Sequence, residues 1–164
     1  MSLSAYADAG FNNESRARSR AGAHMYLSEV DAQPRWNGAV IAITAIMKNG
    51  MPSAAKAELG ALYEYAKAMV PLRQALIKMG WPQGKPPIQT DNSTADGVIN
   101  NAIVPKWLKS MDLRLHWLRC REAHDQFRFF WAPSTDNWDN YYTKHFAPIH
   151  HESQQHFAGI HPVG

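Results

Sequence analysis

The sequence predicts an α/β fold, a mixed β-sheet with helices on its faces, and three observations carry that expectation. Residues 3–47 read as three short strands joined by tight turns. A long helical pattern opens at Ser53. After it, β-type runs near Ile88 and Phe127 are separated by further helical patterns, so these strands are reached through helices rather than hairpins.

In the first strand Leu3, Ala5 and Ala7 alternate with Ser4, Tyr6 and Asp8, a half-buried pattern that sets Asp8 on the face opposite the small apolar residues. Gly10 to Asn13 is expected to turn the chain, and Arg16, Arg18 and Arg20 follow in a polar connection. These arginines suit either a solvated loop or phosphate contact. Ala23, Met25 and Leu27 alternate with His24, Tyr26 and Ser28 as a second strand, and residues 39–47 form a third. Short turns make an antiparallel meander the economical topology.

Ser53 is a good N-cap after the Asn49–Pro52 breaker, and the helix it opens runs to about Lys78, before Gly80 and Pro82. Leu59, Leu62, Tyr63, Ala66, Met69, Val70, Leu76 and Ile77 form its apolar arc, and Glu58 lies at the arc's edge, beside the sheet. Pro71 is expected to kink it. A polar linker, Gln83 to Pro87, leads to the strand Ile88–Thr90. That strand ends on Asp91 and runs into the helix-starting residues Asn92, Ser93 and Thr94. The next helix is expected to end near Ala102, a connection with Pro105 follows, and residues 109–124 are helical. That helix is apolar on two stripes, Met111, Leu115 and Leu118 on one, Leu113, Trp117 and Cys120 on the other, which makes Cys120 an inert core thiol. Phe127, Phe129 and Trp131 alternate along a fifth strand, an aromatic stripe that reads as core rather than as a base-stacking platform. A loop over 132–136 and a last helix over 137–146 complete the order βββαβααβα, and 148–164 is a tail.

With 164 residues, the chain is one domain, and 45% hydrophobic content fits a globular protein. No apolar run reaches about 18 residues, so no membrane helix is expected, and the N-terminus has no secretory pattern. A single cysteine excludes an internal disulfide and fits a reducing compartment. The net charge of +3 permits a polyanionic partner without demanding one.

The chemistry rests on three acids in comparable places. Asp8 and Asp91 each end a strand, and Glu58 lies in the first turns of the long helix. Strand ends beside a helix N-terminus are where open α/β sheets bind ligands, and helix N-termini favour anions. Two carboxylates at ~4 Å repel by about 4 kcal/mol at an effective dielectric near 20, so several gathered together need cations. Oxygen donors of this kind select Mg²⁺ or Mn²⁺, and a pair of such ions serves phosphoryl displacement. From spacing alone these acids fit a metal site and also ordinary strand ends.

Further blocks sharpen the choice: Tyr6-Ala-Asp8-Ala, Ser15-Arg-Ala-Arg-Ser-Arg-Ala-Gly22, Ser53-Ala-Ala-Lys-Ala-Glu58-Leu, Gln89-Thr-Asp91-Asn-Ser-Thr-Ala95, Lys109-Ser-Met-Asp-Leu-Arg114 and Thr143-Lys144. In order and spacing the chain resembles the ribonuclease H domain that ends copia-type LTR retrotransposon polyproteins, over nearly its whole length. The resemblance implies a ribonuclease H-like fold, a five-stranded mixed sheet of order 3-2-1-4-5 flanked by helices, with residues 1–147 as the domain and 148–164 as the tail. It implies hydrolysis of the RNA strand of RNA/DNA hybrids during reverse transcription. The cofactor would be two Mg²⁺ ions, replaceable by Mn²⁺. The partners would be the hybrid and a reverse transcriptase domain in the parent polyprotein, with no membrane, in a cytoplasmic retroelement particle or the nucleus.

Four acidic ligands are implied, and three carry over as Asp8, Glu58 and Asp91. The fourth departs. The family pattern is approximately Asn-Leu-Ala-Asp-Tyr-Phe-Thr-Lys, whereas this chain reads Asn137-Trp-Asp-Asn-Tyr-Tyr-Thr-Lys144. Asn140 stands where the acid belongs, and Asp139, one residue earlier, is rotated by about 100° on a helix. Asn140 suits an engineered variant that binds without cutting, and the alternatives are natural decay or rescue by Asp139. A catalytically inactive hybrid-binding or scaffolding module is therefore the competing function. An integrase-type transferase on the same fold is disfavoured by the Asp91-Asn-Ser block. Candidate substrate contacts are Asn12, Asn13, Ser53, Asn92 and Ser93 for the RNA strand, and Arg16, Arg18 and Arg20 for backbone phosphates. Residues 132–136 lack the histidine that many relatives carry there. His145, His150, His151, His156 and His161 are irregularly spaced and without cysteine partners, so a zinc site is disfavoured.

Overall fold

A computed structural model describes residues 2–28, 38–47, 53–100 and 112–133. Five strands form one sheet of order β3-β2-β1-β4-β5. They are β1 (Ser2–Glu14), β2 (Arg18–Ser28), β3 (Ile41–Ile46), β4 (Pro87–Thr90) and β5 (Arg128–Trp131). β1 pairs antiparallel with β2 and β2 with β3, while β1 pairs parallel with β4 and β4 with β5. The helices are α1 (Ala54–Lys78), α2 (Ser93–Ile99) and α3 (Asp112–Ala123). The expected strand order is the one found. The expected last helix, Asn140 and the tail lie outside the described residues.

The expected turn at Gly10–Asn13 is instead strand. β1 runs on to Glu14 through a register shift between Gly10 and Glu14, with Asn12 at φ 52°. An irregularity of this kind lets a strand absorb turn-type residues without ending. The reversal falls at a single 3-10 turn, Ser15–Ala17, with Arg16 at φ 62°. Arg18 and Arg20 consequently belong to β2 rather than to a loop. β1 is also buried on both faces: Leu3, Ala5 and Ala7 join the core, and Ser4, Tyr6 and Asp8 are buried as well. Tyr6 stacks on Tyr26 of β2 at 5.3 Å between ring centroids.

Ser53 caps α1 by accepting the Lys56 N–H on its side chain. The helix packs on β1 and β2 and touches α2 and α3. It remains one helix across Pro71. Leu59, Leu62, Ala66, Met69 and Leu76 are buried as the arc predicts, Tyr65 joins them, and Ile77 is exposed. α2 ends at Ile99, sooner than expected. On α3, Leu115 and Leu118 are buried, but Leu113 and Cys120 are exposed. The expectation of a core thiol is therefore wrong, because periodicity defines a helix face and does not supply a layer to cover it. Trp117 is held half-way, edge-on to Tyr63 of α1 at 5.4 Å between ring centroids.

Candidate metal centre

Three elements bring the acids together. Ala7 pairs with Thr90, so the parallel strands β1 and β4 run in step and set Asp8 beside Asp91, which follows β4 directly. Asp8 does not end its strand as the sequence suggests, because pairing with β2 carries β1 on to Glu14. α1, docked on β1, delivers Glu58. One carboxylate oxygen from each of Asp8, Glu58 and Asp91 lies within 4.8 Å of the others. Asp8 and Glu58 are buried, and Asp91 is intermediate.

Burial pushes the Glu58 carboxyl well above its ordinary value of 4.5, and the neighbouring charge of Asp8 adds to the effect. Asp91 raises it further, while hydrogen bonds from the Thr90 hydroxyl and the Ala9 main chain oppose the rise. Thr90 Oγ1 donates to Glu58 Oε1 at 2.7 Å and accepts the Asn92 N–H at 3.2 Å. Asn92 Oδ1 in turn accepts the N–H groups of Thr94 and Ala95 at 3.0 Å each, capping α2. The turn after β4 is thus fixed from both sides.

An all-carboxylate donor set, closely gathered and largely dry, fits a hard divalent cation. Burial first, and then the charges of Asp8 and Asp91, favour a proton on Glu58, and a divalent cation at the cluster would compete with that proton.

The other sequence-derived residues are placed as follows. Asn12 is exposed, and its N–H donates to Ser19 Oγ at 3.3 Å. Asn13 follows it in β1. Ser53 and Asn92 are helix N-caps, and Ser93 is exposed at the start of α2. Arg16 is exposed in the 3-10 turn. Arg18 donates to Ser15 O and Ser15 Oγ. Arg20 is ion-paired with Glu14 and donates to Thr44 Oγ1. Asn140 and Asp139 lie outside the described residues.

Two neighbours of the centre escape sequence reasoning. Thr90 reads only as a strand residue, although its place directly before Asp91 is a signal that its hydroxyl serves the strand end. Trp131 reads as core, yet it is 48% exposed and its Nε1–H donates to the Asp91 carbonyl at 3.1 Å.

Solved structures share this architecture. LC11-RNase H1, isolated from compost by a metagenomic approach, matches with a TM-score of 0.60 at 12% identity, over 83% of this chain and 87% of that one. The same enzyme in complex with an RNA/DNA hybrid matches with a TM-score of 0.60 at 11% identity, over 86% of this chain and 93% of that one. RNase H1 from the halophilic archaeon Halobacterium salinarum NRC-1 gives 0.57 at 15% identity, over 87% and 95%. No protein-family model and no curated protein matches the sequence. The chain has the ribonuclease H fold, with a candidate acidic metal site where β1, the end of β4 and α1 meet.

Proposed function

We propose that this chain is a ribonuclease H that hydrolyses the RNA strand of RNA/DNA hybrids. The observation that carries the reading is the meeting of Asp8, Glu58 and Asp91 at one point of a ribonuclease H fold. Asp8, Glu58 and Asp91 would hold Mg²⁺ or Mn²⁺, which when bound supplies an activated water and charge neutralisation at the leaving oxygen. The chain's own residues do the rest. Thr90 and the Ala9 main chain fix the Glu58 carboxylate, and the Asn92 cap fixes the turn that carries Asp91. Water adds across the P–O3′ bond, its oxygen joining phosphorus and a proton going to the departing O3′, which leaves a 5′-phosphate and a 3′-hydroxyl. Asn12, Asn13, Ser53, Asn92 and Ser93 would read the RNA strand through its 2′-hydroxyls, and Arg16, Arg18 and Arg20 would lie toward phosphates.

The sequence resemblance extends this reading to a retrotransposon enzyme joined to a reverse transcriptase domain, working in a cytoplasmic particle or the nucleus. Among the described residues no helix is long and apolar enough to cross a membrane. Asn140, nearly isosteric with aspartate but uncharged, would weaken cation binding on the water-activating side and impair cutting. That same residue favours the second reading, a hybrid-binding module without turnover.

Cleavage of a labelled RNA/DNA hybrid in Mg²⁺ and Mn²⁺, comparing this chain with Asn140→Asp, separates the readings. A gain of orders of magnitude in Asn140→Asp establishes an impaired nuclease with four ligand positions. Equal cutting by both makes Asp139 the fourth ligand. Binding by both without cutting gives the binding module.

A further inference from the structure

Trp131 ends β5 beside the carboxylate cluster, and nothing in the hydrolysis above uses it. Its stripe-mates Phe127 and Phe129 are 1% and 2% exposed, while Trp131 is 48% exposed. Leaving so large a ring half in water forgoes much of the free energy that burial would supply. The ring is nevertheless anchored. Trp131 pairs with Thr90 in the sheet, the Ala132 N–H donates to Thr90 O at 3.1 Å, and the indole N–H is bound to the Asp91 carbonyl at 3.1 Å. Since that N–H is the ring's only polar atom, what remains toward solvent is a fixed apolar surface next to Asp91.

We infer that Trp131 is a substrate-contacting residue, its exposed indole surface packing on the sugar of a nucleotide adjacent to the scissile phosphate. The inference rests on the nuclease reading. Successive nucleotides rise about 3.4 Å along a strand of duplex DNA and less in an A-like hybrid, so a ring touching Asp91 falls within a nucleotide or two of a phosphate held at its carboxylate. A base is the less favoured partner, because extracting one from a duplex costs a few kcal/mol. Sugars along the wide, shallow minor groove of an A-like duplex are accessible without unstacking. An anchored aromatic also loses little conformational freedom on binding, which makes it an effective contact.

The test is binding of a short labelled RNA/DNA hybrid to the whole chain with Ca²⁺ as the only divalent cation, with the affinity of the protein alone for Mn²⁺ measured in parallel. Trp131→Ala is expected to weaken hybrid binding about tenfold and Trp131→Phe by less than about threefold, with Mn²⁺ affinity unchanged in both. Hybrid binding at native strength in Trp131→Ala overturns the inference. So does a matched fall in hybrid and Mn²⁺ affinity, which makes the indole only a prop for Asp91. A measurement on the native side chain stands beside these variants. In 5-fluorotryptophan-labelled protein, the ¹⁹F resonance missing from Trp131→Phe is expected to shift on adding hybrid, and a stationary resonance with hybrid bound overturns the inference. If the native chain binds no hybrid, the nuclease reading fails and this inference with it. Native binding that is indifferent to Trp131 removes the inference alone.

Discussion

Thr90 Oγ1 donates a 2.7 Å hydrogen bond to Glu58 Oε1 in a place where Thr90 is 0% and Glu58 2% exposed. Because the same hydroxyl accepts the Asn92 N–H, one small side chain ties the end of β4 to α1 and to the cap of α2. Without a cation, that bond is weaker than the forces against a charged Glu58, whose carboxyl stays well above its ordinary range chiefly through burial and the charge of Asp8.

A pH dependence follows for the cation-free protein. Glu58 binds its proton more tightly folded than unfolded, so its stabilising contribution is complete below 4.5 and is lost as pH rises through the folded value. Thermal melts in chelator, taken from about pH 4 to pH 8, are expected to show a loss of stability that Glu58→Gln reduces. At neutral pH, cation-free Glu58→Gln is expected to melt above the native chain. Mg²⁺ should stabilise the native chain and have little effect on the variant, since a ligand that binds only the folded state raises its stability.

Thr90→Val keeps the shape and removes the hydroxyl. The buried Glu58 oxygen and the Asn92 N–H each lose a partner, at a cost of about 1–3 kcal/mol. Denaturant melts should show that loss, and Thr90→Ser should recover most of it. Mn²⁺ affinity is expected to fall in Thr90→Val as well, because Glu58 is then free to reorient.

How much of this was legible depended on how local each cause is. The caps at Ser53 and Asn92 were readable because a cap is a short-range bargain between one side chain and the amides two or three residues on. Asp91 could be picked out as a strand-end acid and Glu58 as a helix-start acid, whereas Asp8 lies within β1 and not at its end, and sequence separation cannot set the three within 4.8 Å. That meeting requires the Ala7–Thr90 register and the docking of α1. Asn12 and Asn13 read as a turn because their type favours one, whereas pairing with β2 carries β1 past them. Cys120 and Trp131 failed for a common reason. Each lies on an apolar stripe, and a stripe does not say whether anything covers it.

The exposed Cys120 thiol, 3.5 Å from His124 Nδ1, should react with a thiol reagent in the folded chain. One equivalent of modification without denaturant is expected, with stability changed by no more than about 0.5 kcal/mol, as for other surface changes. Modification only after unfolding would restore the core position expected from the sequence.

Gln83 offers a test of how the sheet is closed beyond its strands. The linker before β4 turns its side chain inward, where Oε1 accepts the Leu3 N–H at 2.8 Å and Nε2 donates to Trp81 O at 3.2 Å. β4 first pairs with β1 at Ala5, so the amide group stands in for a strand partner at Leu3. Gln83→Leu should leave a buried N–H unsatisfied and cost about 1–3 kcal/mol, lowering Tm by roughly 5 °C in a chain of this size. Gln83→Glu keeps an acceptor for Leu3 but, when ionised, has no donor for Trp81 O, so it should cost less only at acidic pH, where its carboxyl is protonated. Hydrogen exchange localises the effect, since the Leu3 amide should lose protection in Gln83→Leu while amides in the middle of β1 keep theirs. Equal loss along the whole strand would mean that Gln83 supports the sheet globally rather than sealing its end.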